Sequence, residues 1–207
     1  NTDIYNSTTE HRLLSSLVSI ISRLAKELET PLQDFNILEA KETQQLLEDY
    51  NATASVYNTS QLLHEQFEAQ AEQTPEAPAV VFGDKVLSYQ TLDEASNQLA
   101  DYLQVNYKIG AGTLVGVKLE RNEILIISLL AILKTGATYV PLDVNYPEER
   151  IAYIEQDSNS KLILDSTVYT GYLDTQADYR KTRETSKAKS SNTAYVIYTS
   201  GTTGKPK

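Results

Sequence analysis

The chain has 207 residues, 41% of them apolar and 22% charged, the balance of an ordinary globular protein. Its formal charge of −10 speaks against a nucleic-acid footprint, and no apolar run approaches the ~20 residues of a membrane span. The absence of cysteine excludes a disulfide framework and thiolate chemistry and fits the cytoplasm.

The only imidazoles, His11 and His64, each stand alone in a helical pattern and read as surface or helix-packing residues. Methionine is absent even at position 1, so the chain is expected to be a piece of something longer.

Residues 10–29 place Leu13, Leu14, Leu17, Val18, Ile21 and Leu24 at helical spacing, with Ser7 and Glu10 as a capping box and Pro31 closing the segment. Such a wide apolar stripe needs a partner surface. Residues 30–58 read as a linker holding one helix, Glu39 to Tyr50, between turn-rich stretches.

The pattern becomes regular near residue 58. Ser60 is expected to cap a helix carrying Leu62, Leu63, Phe67 and Ala71, ended by Thr74-Pro75. Strands Ala79 to Phe82 and Val86 to Tyr89 then flank a Gly83-Asp84-Lys85 turn. Leu92, Ala95, Leu99 and Leu103 describe an amphipathic helix. A strand follows at Leu114 to Leu119, then an almost wholly apolar helix at Ile124 to Leu133 that should be buried on most sides. Gly136 sits where a left-handed cap belongs, before a strand at Thr138 to Leu142. A helix at Glu148 to Gln156 and a strand at Lys161 to Asp165 complete an α/β class chain with a mostly parallel sheet. Residues 166–193 are polar, and their basic run of Arg180, Lys181, Arg183, Lys187 and Lys189 reads as a solvated connection.

The chemistry concentrates at residues 194–207. An apolar run, Ala194 to Ile197, feeds Tyr198-Thr199-Ser200-Gly201-Thr202-Thr203-Gly204-Lys205-Pro206-Lys207. Glycines let backbone N–H groups approach oxygens, hydroxyls add rotatable donors and lysines add positive charge, so the loop suits a polyanion. It is not a Walker A loop, because only two residues separate Gly201 from Gly204 and Pro206 follows Lys205. Nor does it fit the dinucleotide fingerprint, which opens a helix after a Gly-x-Gly turn.

Three segments in order resemble the core motifs of non-ribosomal peptide synthetase adenylation domains, members of the adenylate-forming, AMP-binding superfamily. They are Leu87-Ser88-Tyr89-Gln90-Thr91-Leu92, with Thr91 where the motif usually has Glu; Leu133 to Asp143 continuing through Tyr146-Pro147-Glu148-Glu149-Arg150; and Ala194 to Lys207. Tyr139 to Asp143 reads as buried strand and turn that position the sheet, so only the third motif carries a direct ligand claim. Residues 1–30 resemble the C-terminal helix of a condensation domain and 31–58 a condensation–adenylation linker. Residues 59–207 then resemble the N-terminal part of the adenylation domain.

The resemblance implies activation of an amino acid by Mg·ATP to aminoacyl-AMP and pyrophosphate. The acyl group would then pass to a phosphopantetheine thiol on a carrier domain, in antibiotic or secondary-metabolite synthesis. Thr199, Ser200, Gly201, Thr202, Thr203, Gly204 and Lys207 would bind the ATP phosphates, with Lys205 at a variable position. Catalytic, Mg2+-ligating and pocket residues of the family would lie beyond Lys207, so the chain alone is expected to be inactive. The alternatives are an acyl- or aryl-acid-CoA ligase relative, and a truncated non-catalytic interaction module.

Overall fold

The computed structural model describes residues 4–26, 29–31, 34, 38–56, 60–183 and 188–201. The chain divides into two units, Asn1–Tyr57 and Asn58–Lys207. In the first, helix α1 spans Ser7–Leu24 and helix α2 spans Ala40–Leu47, followed by a 3-10 turn at Asp49–Asn51. The cap of α1 is Asn6 rather than Ser7, because the Asn6 side chain accepts from the Thr9 amide at 2.8 Å. The Asn51 amide group closes α2 by donating to the Leu46 and Leu47 carbonyls, each at 3.0 Å. The stripe of Leu13, Leu14, Leu17, Val18 and Ile21 is exposed.

The second unit opens with α3, Leu63–Gln73. Its cap is Leu62, not Ser60, and the Glu65 carboxylate accepts from the Leu62 amide at 2.8 Å. Strands β1 (Pro78–Phe82) and β2 (Lys85–Ser88) form an antiparallel hairpin across Gly83 and Asp84, with Lys85 already paired to Phe82. Helix α4 follows directly over Tyr89–Tyr107, capped by the Ser88 hydroxyl. Strand β3 (Leu114–Lys118), helix α5 (Glu123–Thr135), β4 (Thr138–Pro141), helix α6 (Glu148–Ser158) and β5 (Leu162–Asp165) build a parallel sheet of order β4-β3-β5. The polar stretch after β5 contains a helix that its composition hides, α7 (Ser166–Leu173), capped by Asp165.

Period-two alternation assigns each strand residue to one face of the sheet. Val115, Val117, Tyr139 and Leu164 join the core under α4 and α5, which contains Leu99, Leu103, Ala131 and Ile132. Val140, Leu142 and Ile163 face the opposite way, onto Ile154 of α6. Gly116 sits on that second face because a Cβ there would come within 2.5 Å of the Ile163 side chain and 3.2 Å of Leu142. The apolar helix α5 is covered nearly all round, as its composition requires, with Ile126 its exposed exception.

Helix α4 departs from the amphipathic pattern, since every residue from Ser96 to Leu103 is buried. Its polar face is covered by residues 176–183, so Arg180, Lys181 and Arg183 of the basic run form an ion-paired strap rather than a solvated connection, while Lys189 is exposed. The Arg180 guanidinium pairs with Asp101 at 2.6 Å and Lys181 with Glu94 at 3.1 Å; Arg183 pairs with Asp93 at 3.2 Å and with Glu72. Arg180 holds the Asp101 carboxyl below its ordinary range by hydrogen bonding. Lys187 lies outside the described residues.

Lys134 is buried and donates to Asp93 Oδ1, Ser96 Oγ and Asn97 Oδ1, each at 2.7 Å, above the Phe67 ring. Burial lowers its pKa, and hydrogen bonding and charge attraction from Asp93 oppose that shift. Two outcomes follow from this packing. Asp93→Ala strands a buried ammonium and should cost about 3–5 kcal/mol in urea denaturation, whereas Lys134→Met should cost less, because Arg183 still neutralises Asp93. Gly136 has φ +80° and a Cβ there would meet the Ala188 backbone nitrogen at 3.3 Å, so Gly136→Ala should cost about 1–2 kcal/mol by the same measurement.

Candidate functional site: the loop at the carboxyl edge of the sheet

A fourth strand-like segment lies on the free side of β4. The Thr138 hydroxyl donates to the Thr193 carbonyl at 2.6 Å, the Tyr139 amide to the Ala194 carbonyl at 3.2 Å and the Val196 amide to the Tyr139 carbonyl at 3.0 Å. The pairing is parallel, with Tyr139 opposite Tyr195 and their rings stacked at 5.5 Å. Alternation continues through it: Val196 and Tyr198 pack on the α6 face with Val140, Leu142 and Ile154.

This register carries Thr199, Ser200 and Gly201 past the carboxyl end of the sheet, where open α/β folds bind ligands. Thr199 and Ser200 are exposed there, and Gly201 is half-buried. Thr202, Thr203, Gly204, Lys205, Pro206 and Lys207 lie outside the described residues. Tyr139 to Leu142 serves the sheet, with Val140 and Leu142 buried, while Asp143 stands at its end.

A cleft of about 300 Å³ opens beyond the ends of β3 and β4, lined by Leu119, Arg121, Asp143, Tyr146, Ile197 and Tyr198 among others. Arg121 donates to Asp143 at 2.9 Å. The Asp143 carboxyl is held below its ordinary range, first by the Asn145 backbone amide, then by the Asn145 side chain and Arg121. The Arg150 guanidinium lies 4.2 Å over the Tyr146 ring. Sequence reasoning passed over Arg121; the signal available was an acidic residue just after a buried strand, where a neutralising cation is expected. No group of three or more His, Asp or Glu among the described residues could hold a metal ion. Of the two imidazoles, His64 is buried, and burial lowers its pKa.

Tyr198 stands at the base of the loop. Its hydroxyl donates to Asp157 Oδ2 of α6 at 2.5 Å. Burial, then the bond to Asp157, push the phenol up to about 12. A raised phenol pKa stabilises the fold fully below the unfolded value of about 10, and that contribution is lost as pH rises toward 12. Burial also raises the phenol pKa of Tyr102, Tyr139, Tyr169 and Tyr172, so spectrophotometric titration at alkaline pH should show a group of late-ionising tyrosines that is smaller by one in Tyr198→Phe.

Comparisons with known proteins identify the family and the fold. The chain is 36% identical to gramicidin S synthase 2 of Brevibacillus brevis, over 100% of its own length and 5% of the synthase. It therefore spans a small part of the curated relatives it matches. The Klebsiella oxytoca NpsA N-terminal subdomain, in complex with 3-hydroxybenzoyl-AMSN, superposes with a TM-score of 0.62 at 28% identity, covering 75% of this chain and 42% of that one. The non-ribosomal peptide synthetase FmoA3, in an AMPPNP-bound form, shares the fold at 24% identity with a TM-score of 0.74, over 95% of this chain and 22% of that one. The pattern of the AMP-binding enzyme family matches residues 67–207, and the chain belongs to that family.

Proposed function

We propose that this chain is part of a non-ribosomal peptide synthetase module whose adenylation domain activates an amino acid with ATP. Residues 59–207 form the N-terminal part of that domain, 31–58 the linker before it and 1–30 the last helix of a condensation domain. The observation that carries the reading is the parallel register of 193–196 on β4, which delivers Thr199, Ser200 and Gly201, the first two exposed, to the carboxyl edge of the sheet.

In this reading the amino-acid carboxylate attacks the α-phosphorus of ATP. The bond to the bridging oxygen of the β-phosphate breaks, and aminoacyl-AMP and pyrophosphate result. The protein's share is to position groups and neutralise charge. Thr199, Ser200, Thr202 and Thr203 donate to the β- and γ-phosphate oxygens, Gly201 and Gly204 let the backbone approach, and Lys207 supplies charge. Mg2+ accompanies ATP as a counter-charge, and no described residue is assigned to it. The acyl group passes to the phosphopantetheine thiol of a carrier domain, releasing AMP. The need for ATP and soluble carriers assigns the reaction to the cytoplasm.

Amino-acid-dependent ATP–pyrophosphate exchange tests the reading, using the protein that carries this chain at the length its gene encodes. Exchange should appear with one or a few amino acids, and Lys207→Met should lower it about 10²- to 10³-fold, the effect of losing ~2–4 kcal/mol of transition-state stabilisation. A second reading has one observation in its favour, the aryl adenylate analogue on the NpsA neighbour. Exchange supported by aryl acids and by no amino acid would establish it instead.

A further inference from the structure

Tyr198 occupies a position that loop chemistry alone does not explain. It is the last residue before the hydroxyl-rich turn, and while it lines the cleft it also packs, half-buried, against the cluster of Val140, Leu142 and Ile154 between the sheet and α6. Its hydroxyl then reaches Asp157 in the last turn of α6, at 2.5 Å. The ring is therefore fixed at two points, one apolar and one ionic, and the backbone it anchors is that of Thr199.

The rest of the leading segment is held less firmly. Its backbone bonds to β4 end at Val196, and Tyr195 and Ile197 are exposed on the other face. Between Val196 and the turn, Tyr198 is the residue that ties the chain to the body of the domain.

We propose that Tyr198 and Asp157 form a strut that positions the turn for nucleotide phosphates, making both of them positioning residues for the reaction. This rests on the adenylation reading given above. Asp157 lies far along the chain from the loop and touches no substrate; it acts through the phenol. A carboxylate acceptor gives a short, charge-assisted bond, stronger than a neutral pair would be. Positioning matters because donors to a polyanion act only when they are already in place before it arrives.

The test uses the full-length protein and the variants Tyr198→Phe, Asp157→Ala and Asp157→Asn. Hydrogen–deuterium exchange of the peptide covering 194–201 should speed up roughly tenfold in Tyr198→Phe and Asp157→Ala. The double variant should be no worse than either single one. Asp157→Asn should exchange at a rate between wild type and Asp157→Ala, because its amide oxygen still accepts the phenol proton but without the carboxylate's charge. The dissociation constant for Mg·ATP, and the KM for ATP where turnover is measured, should rise by a similar factor while the KM for the amino acid stays unchanged. Unaltered deuterium uptake in Tyr198→Phe, or unaltered ATP affinity, overturns the strut. Wild-type protein that binds ATP but supports no pyrophosphate exchange overturns the adenylation reading and leaves the strut to be decided by the deuterium and ATP-binding data.

Discussion

The carboxylate of Asp93 lies between two cations, and much of the second unit is arranged around it. Lys134 approaches from α5 and Arg183 from the strap, while Ser96 and Asn97 of α4 complete the ammonium's shell. Helix α3 joins through the Phe67 ring beneath Lys134 and through the Glu68 carbonyl, which accepts from Arg183 at 3.1 Å. A buried pair of this kind adds little net stability over apolar packing, because desolvation offsets most of the attraction. What it fixes is register. An α5 rotated or shifted by one residue would bury the ammonium without acceptors, so the packing of three helices and a strap is specified at one point.

That point governs the carboxyl edge of the sheet through the chain itself. Lys134 is followed by the left-handed Gly136 and then by β4, whose backbone receives the segment leading to Thr199. Close approach of Ala188 to Gly136 brings the end of the strap to the same corner. The frame of the site is thus apolar and backbone-bonded, and Thr199 and Ser200 stand exposed at its rim.

Sequence periodicity revealed most of this frame. The alternation from Leu114 to Asp165 determined the strands and the helices between them, and the apolar run of α5 correctly implied burial on nearly all sides. Two parts were hidden for physical reasons. Helix α4 looked amphipathic because Asn97, Gln98 and Asp101 are polar, but their partners lie some 80 residues away, in the strap: Gln98 donates to the Gln176 carbonyl and Asp101 accepts from Arg180. Helix α7 escaped notice because its residues Ser166, Thr167, Thr170 and Gly171 are poor helix formers; it is held by the Asp165 cap and by Tyr169 and Tyr172 packed in the core. At the loop, the residue types announced phosphate chemistry, while the bond from Tyr198 to Asp157 is a long-range contact with no local signature.

The order in which this sheet is assembled has a kinetic side. Thr138 and Thr193, whose bond marks the start of the edge pairing, are 55 residues apart, and β4 is the strand that receives the segment at 193–196. The entropy of closing such a loop must be met before its few contacts return anything. The edge that leads to Thr199 therefore depends on long-range closure, unlike the local contacts of the α4–α5 core. Subglobal opening of an edge held by so few backbone bonds would detach Thr199 and Ser200 while leaving the α4–α5 core intact, so local order at this edge and global stability of the unit are separable quantities.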